Sequence, residues 1–373
     1  MIWFLAVFGF VLGATIGSFV NVVIYRVPAG LSVVYPRSRC PHCGHTLTPI
    51  ELIPIVSWVI QGGKCRNCKA PIAVRYPLVE ALTGVLFALA AVLRPDFPGL
   101  LLIWAFIALL VALSFIDMDT YELPWQLNYG GLALGLLGAG LLGYPQPFPQ
   151  ALDGALMGAG LLAMVNALGV LIIKRGKNNA WTPPFGYPQI NLAAAVGSLF
   201  GPAAGLVAGF LNVAFNLRSP RPFRVPDLLA LGLAVLGPLL ALVIPGWFLS
   251  PVSSLRGWLI GAGGLALAGG IYWWIQEWRN PNAQAEESDD EVVAMGFGDV
   301  ILMGFLGAWL GVSNLVVALL VAVVAGAVIG LISRFVTGEN KIPFGPYLAI
   351  GGLVAFFFGQ DLIGWYLSYI GAK

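Results

Sequence analysis

The chain has 373 residues, of which 59% are hydrophobic and only 10% are charged. Its mean hydropathy of +0.88 lies well above that of soluble globular domains, so the composition excludes a water-soluble fold for the main body of the chain. The formal net charge of +2 gives no indication of a nucleic-acid partner, and we expect none.

Apolar runs of about 17 to 25 residues recur along the chain, and each could cross a hydrocarbon core of about 30 Å as a helix. We therefore predict an all-α polytopic membrane protein. The first run has no basic leader segment and no small-residue cleavage site, so we interpret it as a retained span rather than a signal peptide. The twelve predicted spans are 2–25, 77–93, 98–117, 124–143, 150–173, 188–201, 203–217, 226–247, 256–278, 299–311, 313–335 and 345–369.

Basic residues predict the orientation of these spans. Seven of the nineteen Lys and Arg residues lie between Arg26 and Arg75, and further clusters lie at 174–177 and 218–224. Cytoplasmic loops carry an excess of Lys and Arg. With the N-terminus outside, alternation of the spans places every basic cluster inside, which predicts a multi-pass membrane protein whose basic loops face the cytoplasm.

The first loop carries all four cysteines, in the pairs Cys40-Pro-His-Cys43 and Cys65-Arg-Asn-Cys68. Two such pairs can supply the four thiolates of a tetrahedral zinc site, and this loop has too few apolar residues for a core of its own. We predict a small zinc-ribbon-like domain at 28–76 with a structural metal. Two disulfides or a redox pair are the alternatives, and His42 or His45 could replace one cysteine as a ligand.

Acidic residues inside apolar spans are functional candidates because burying a carboxylate is costly. Asp117 ends the run 101–116, and Asp299 follows Gly296-Phe-Gly298 at the start of the tenth span. Two such carboxylates could share one proton, the arrangement by which an aspartyl protease activates water and polarises a carbonyl. Asp119 is a rival for Asp117, because the two point about 200° apart on a helix and spacing alone does not choose between them.

The spans also show an internal repeat at a constant offset of 110 residues. We infer that 150–247 and 256–369 are two copies of a four-helix module. In the first copy Gln189 occupies the position of Asp299, and an amide cannot share the proton, so this copy is predicted to be catalytically silent. The residues matched at this offset are Gly186 with Gly296, Leu192 with Leu302, Gly197 with Gly307 and Gly201 with Gly311.

Several segments resemble the bacterial type IV prepilin peptidase family. The N-terminal block is carried by 17–28, 36–43, 63–68 and 75–80, and the two catalytic motifs are similar to Phe115-Ile-Asp117 and Met295-Gly-Phe-Gly-Asp299. The chain departs from the family pattern where Val300-Ile301 replaces a nearby lysine and Trp125 replaces an aspartate.

The resemblance implies an eight-span core with four inserted spans, and Asp117 and Asp299 as the catalytic pair. It implies cleavage of the basic leader of type IV prepilins or pseudopilins at the cytoplasmic face of the bacterial cytoplasmic (inner) membrane, the face that also carries the zinc loop. It also implies N-methylation of the new terminus with S-adenosylmethionine, for which Arg75 and Glu80 are candidates by analogy. The zinc ligands implied are Cys40, Cys43, Cys65 and Cys68.

The sequence predicts five parts along the chain. Two other functions stay open: an ion- or proton-coupled transporter, in which the two aspartates would bind cations, and a non-catalytic pilus-assembly relative. The parts are 1–27, the first span; 28–76, the zinc loop; 77–175, the core with Asp117; 176–290, the inserted module; and 291–373, the core with Asp299.

Overall fold

The structure is a computed structural model that describes residues 2–94, 99–173, 185–219, 223, 225–244, 249–280, 296–337 and 342–371. Within these ranges the regular structure is helical, and extended pairing is limited to two isolated bridges in the cysteine loop. The predicted all-α fold with a small cysteine-bearing loop domain is therefore confirmed.

The helices follow the apolar runs because a long apolar segment satisfies its backbone hydrogen bonds internally as a helix. The elements are α1 (Ile2–Arg26), a 3₁₀ helix (Pro49–Leu52), α2 (Val56–Ile60), α3 (Arg75–Leu93), α4 (Gly99–Thr120), α5 (Trp125–Leu142), α6 (Phe148–Ile173), α7 (Tyr187–Phe200), α8 (Pro202–Arg218), α9 (Asp227–Val243), α10 (Pro251–Arg279), α11 (Phe297–Thr337) and α12 (Gly345–Tyr369).

Seven of the described helices are long and apolar enough to cross a bilayer: α1, α3, α4, α6, α10, α11 and α12. Helix α11 combines two predicted spans, and its backbone leaves the helical conformation between them at Gly311, with φ 68° and ψ 175°. A straight helix of its 41 residues would be about 60 Å long, twice the thickness of a hydrocarbon core. The predicted number of twelve crossings stays a prediction.

The described residues form two compact units. The first comprises residues 1–127 and 321–357, and α1 packs along α3 in it. The two helices approach closely because α1 presents glycines to α3: a Cβ at Gly13 would lie 2.7 Å from the Thr83 carbonyl oxygen. Helix α4 joins this pair through Trp104, whose Nε1 donates to the Phe87 carbonyl over 3.0 Å.

The second unit comprises residues 128–320 and 358–373, and its helices make reciprocal glycine contacts. Gly154 of α6 meets the backbone of Gly307 in α11, and Gly257 of α10 meets Gly197 in α7 in the same manner. The residues of α6 and α10 differ by 103 positions and those of α7 and α11 by 110. Each predicted copy therefore uses the same surface against the other, as the subunits of a two-fold symmetric dimer do.

Candidate active site and metal centre

The two cysteine pairs form two backbone knuckles of the same design. In the first, Cys40 N–H donates to the His45 carbonyl and Gly44 N–H donates to the Cys40 carbonyl, each over 2.9 Å. The second repeats both bonds 25 residues later, from Cys65 to Ala70 and from Lys69 to Cys65, over 2.8 and 3.0 Å. The fifth residue of each knuckle is left-handed, with φ 71° at Gly44 and 59° at Lys69.

The knuckles bring the four thiols together at the spacing of a tetrahedral metal site. All four sulfur atoms lie within 4.8 Å of one another, and those of Cys40 and Cys68 are 3.8 Å apart. A zinc–sulfur bond of about 2.3 Å implies sulfur–sulfur edges of about 3.8 Å in a tetrahedron. The backbone N–H of His45, followed by the Asn67 amide, lowers the pKa of Cys43 to about 6, which favours the thiolate that binds metals. The set of donors therefore fits a metal ion, and the predicted four-cysteine cluster is confirmed.

The linker between the knuckles is held by Glu51, the sole acid between residues 26 and 75. Its carboxylate accepts hydrogen bonds from the backbone and hydroxyl of Thr48, over 3.0 and 2.8 Å, and contacts His45 Nε2 at 3.2 Å. The Thr48 bonds hold the pKa of Glu51 at about 2, below its ordinary 4.5. His45 is thus engaged with Glu51, and it lies outside the group of residues that could hold the metal.

Asp117 lies in the last turn of α4 and is 4% exposed. Its Oδ2 atom accepts a hydrogen bond of 2.8 Å from the backbone N–H of Gly345, the first residue of α12. A Cβ atom at Gly345 would lie 2.7 Å from the same oxygen, so the absence of a side chain there permits the approach. The first N–H groups of a helix have no partner within it, which explains why this one binds a carboxylate.

Asp119 differs sharply from Asp117. It lies at the surface and forms an ion pair with Arg75, whose Nη1 is 2.7 Å from Asp119 Oδ1. The Arg75 Nη2 atom also donates to the Phe115 carbonyl over 3.2 Å, so Arg75 connects the start of α3 with the end of α4. Glu80, the second candidate for methyl transfer, accepts a 2.7 Å hydrogen bond from the backbone N–H of Ile55 in the cysteine loop.

Asp299 belongs to the second unit and lies in the first turn of α11, where it is 8% exposed. Its own N–H donates to the Gly296 carbonyl over 3.1 Å, which begins the helix at the Gly-Phe-Gly-Asp motif. The motif is positioned by a residue that the sequence analysis did not select. Asn128 of α5 donates from Nδ2 to the Gly298 carbonyl over 3.2 Å.

Asn128 is fully buried, and its Oδ1 atom has no hydrogen-bond partner among the described residues. A buried amide oxygen without a partner costs about 1–3 kcal/mol, so Asn128 is a poor choice for stability alone. Asn128 binds the carbonyl of Gly298, the residue before Asp299, and positioning of this turn accounts for the amide. The available signal in the sequence was a pair of carboxamides, Gln126 and Asn128, in the first turn of a largely apolar helix.

Gln189 stands at the position that corresponds to Asp299 in the other predicted copy. Its Oε1 accepts from the Gly186 N–H over 3.1 Å, and its own N–H donates to the Gly186 carbonyl over 3.2 Å. The turn is therefore built like the one at Gly296 and Asp299, but it ends in an amide. Asn191, two residues on, donates to Asp227 over 2.9 Å.

Comparisons with known proteins support the resemblance noted above. Residues 11–93 match the bacterial peptidase A24 N-terminal domain. Residues 104–217 and 221–331 match the type IV leader peptidase family. These two ranges together cover more than half of the chain. No solved structure matches the chain.

Several curated relatives carry the name prepilin leader peptidase/N-methyltransferase, and three of them illustrate the similarity. The protein from Myxococcus xanthus is 46% identical over 175 residues, or 46% of this chain and 50% of the relative. The protein from Aeromonas hydrophila is 30% identical over 390 residues, or 96% of this chain and 92% of the relative. That from Burkholderia pseudomallei strain K96243 is 28% identical over 94% of this chain and 85% of the relative. The chain therefore belongs to the type IV leader peptidase family.

Proposed function

We propose that this chain is an intramembrane aspartyl endopeptidase that removes the leader peptide of type IV prepilins or pseudopilins. The proposal rests on the burial of two carboxylates in a member of the type IV leader peptidase family. Asp117 and Asp299 are both nearly fully buried at the ends of apolar helices. Buried acids in membrane helices are costly and are generally retained for function.

In this proposal the two carboxylates act on one peptide bond and hold a single proton between them. The ionised aspartate takes a proton from a water molecule, and the protonated one donates to the oxygen of the scissile carbonyl. Collapse of the tetrahedral intermediate then breaks the carbon–nitrogen bond, and the leaving amine takes up a proton. The Gly345 N–H would keep Asp117 Oδ2 in one orientation throughout, and Asn128 would hold the backbone beside Asp299.

We further propose that the cysteine loop is a cytoplasmic zinc domain with a structural role. Cys40, Cys43, Cys65 and Cys68 would hold the ion, which cross-links two knuckles that have almost no core of their own. The cluster of basic residues around the loop supports the cytoplasmic orientation through the positive-inside rule. The catalytic aspartates would then act at the same face of the membrane.

The names of the relatives include an N-methyltransferase, and we propose that this chain also methylates the new terminus with S-adenosylmethionine. Arg75 and Glu80 stay candidates for that step. In the structure Arg75 binds Asp119 and Glu80 binds the Ile55 N–H, so both would exchange these partners to reach the cofactor.

The inserted module, 176–290, is proposed to be a catalytically silent copy of the C-terminal half. Two observations support this: the Gly186 turn matches the Gly296 turn, and Gln189 supplies no carboxylate. The amide can accept and donate hydrogen bonds but cannot take part in proton sharing.

The proposal is tested by cleavage of a purified prepilin with detergent-solubilised enzyme. We expect Asp117→Asn and Asp299→Asn to abolish the shorter product. Asp119→Asn is the matched control: it removes an exposed ion pair, typically worth about 0.2–1 kcal/mol, and should leave most of the activity. Cleavage that survives in either of the first two variants would end the aspartyl-protease proposal and favour the transporter or assembly alternatives.

A further inference from the structure

The cysteine loop exposes a row of aliphatic side chains in the linker between its knuckles. Ile50 and three of the five residues of α2 are exposed, with Val59 62% and Ile60 80% exposed. Exposed apolar side chains that cluster on a soluble domain mark an interaction site. The row consists of Ile50, Ile53, Val56, Val59 and Ile60.

The row lies alongside the first turns of the membrane helix α3. The Ile55 N–H reaches Glu80 over 2.7 Å, and Glu80 is five residues into α3. At 1.5 Å per residue the Glu80 backbone lies about 7.5 Å along the helix from Arg75, and helical side chains lean toward the N-terminus, so the linker meets α3 within its first two turns. Helix α3 has only 19 residues, about 28 Å, and needs nearly all of this length to cross a hydrocarbon core of about 30 Å. The linker is thus at the level where headgroups meet acyl chains.

Two features keep the linker in this position. Ile55 has φ 62° and ψ −54°, the rare and strained conformation of a γ-turn, and its N–H donates to Glu80. Trp58 Nε1 donates to the Ile72 carbonyl over 3.1 Å and connects α2 to the second knuckle. The apolar row is therefore coupled both to α3 and to the metal centre.

The charge of the surrounding loop indicates what covers the row. Between Arg26 and Arg75 there are seven basic residues and one acid, and the acid is Glu51, which is buried. An apolar edge flanked by Lys and Arg is typical of segments that lie in the interface of an anionic membrane. The exposed basic residues on or near the knuckles are Arg37, Arg39, Lys64, Arg66 and Lys69.

We infer that residues 50–60 form an interfacial wedge that inserts its aliphatic side chains at the acyl boundary, while the knuckles contact anionic phospholipid headgroups. The wedge would fix the depth of the metal-binding loop against the bilayer. This inference does not depend on the proposed catalytic pair.

The test uses the full chain in vesicles of phosphatidylglycerol and phosphatidylcholine, with a benzophenone amino acid at Ile60. His42, which is exposed on the first knuckle, serves as the control position. We expect lipid adducts at Ile60 and several-fold fewer at His42. Metal content is measured in each variant, so that only correctly folded loops are compared.

A protein adduct at Ile60, or equal lipid labelling at both positions, would overturn the wedge. A second arm replaces phosphatidylglycerol with phosphatidylcholine throughout. We expect the Ile60 adduct to fall in the neutral vesicles, and an unchanged yield would overturn the headgroup contact.

Discussion

The backbone N–H of Gly345 donates a 2.8 Å hydrogen bond to Oδ2 of Asp117, although 228 residues separate them in the chain. The contact places the start of α12 against a buried carboxylate near the end of α4. It makes a residue without any side chain part of the candidate site.

Gly345→Ala should therefore impair cleavage strongly. Its Cβ would lie 2.7 Å from Asp117 Oδ2, and a displacement of about 1 Å in a catalytic group can cost about 100-fold in rate. We expect a loss of about that size in kcat, measured on a purified prepilin. Gly364→Ala on the same helix has no heavy atom within 4 Å of the new Cβ and should retain wild-type activity. Equal rates for the two variants would contradict a role for the Gly345 contact.

Asn128→Leu should separate activity from stability. The substitution removes the donor to the Gly298 carbonyl but also removes a buried amide oxygen without a partner. We expect kcat to fall about 10-fold or more with KM unchanged, since only the geometry at Asp299 is altered. The thermal unfolding temperature should stay within a few degrees of wild type.

Gln146→Leu is the matched control, because Gln146 donates to the Ala308 carbonyl over 3.0 Å, further along the same helix. It should retain kcat. Asn128→Ser, which keeps a donor, should recover part of the lost rate. If Asn128→Leu unfolds the protein and Gln146→Leu does the same, Asn128 has a structural role only.

Removal of the metal should unfold the cysteine loop without unfolding the helices. A strong chelator at neutral pH should release the ion held by the four thiols, because the loop has almost no other core. Trypsin should then cleave rapidly at Lys64 and Arg66, while the helical circular dichroism is kept.

Cys65→Ser should reproduce this sensitivity in the absence of chelator. His42→Ala should retain both the metal and the resistance to trypsin, since His42 lies outside the cluster. Loss of metal from His42→Ala would contradict the four-cysteine assignment.

Gly307→Ala and Gly197→Ala form a test of the two copies. Each new Cβ would meet a backbone carbonyl across an equivalent helix crossing, that of Gly154 for Gly307 and that of Gly257 for Gly197. Overpacking of this kind costs about 1–3 kcal/mol, so both variants should unfold at lower temperature.

The rate of prepilin cleavage, unlike the unfolding temperature, should differ between the two variants. Gly307 is on the helix that carries Asp299, so Gly307→Ala should lower kcat well beyond its effect on stability. Gly197 is in the copy that we propose to be silent, and Gly197→Ala should leave kcat within about 2- to 3-fold of wild type. An equal loss of kcat in both variants would show that the inserted module takes part in catalysis.

The sequence alone determined the helices, because hydropathy and backbone hydrogen bonding in a membrane are local properties of a segment. The predicted spans 77–93 and 345–369 correspond to α3 at 75–93 and α12 at 345–369. The four-cysteine cluster could also be predicted from the sequence, because each Cys-x-x-Cys pair brings its two thiols close together.

Only the tertiary structure distinguished Asp117 from Asp119. The two residues are neighbours in the chain, but one is 4% exposed and the other forms a surface ion pair with Arg75. The burial of a residue depends on which face of α4 the other helices cover. The spacing of residues within α4 does not reveal which face that is.

The contacts of Asn128 with Gly298, Gly345 with Asp117, and Ile55 with Glu80 have the same origin. Each joins a backbone group to a side chain that is distant in sequence, so its formation depends on the packing of whole helices. The sequence determined which groups are costly to bury, and the fold decided which partners they meet.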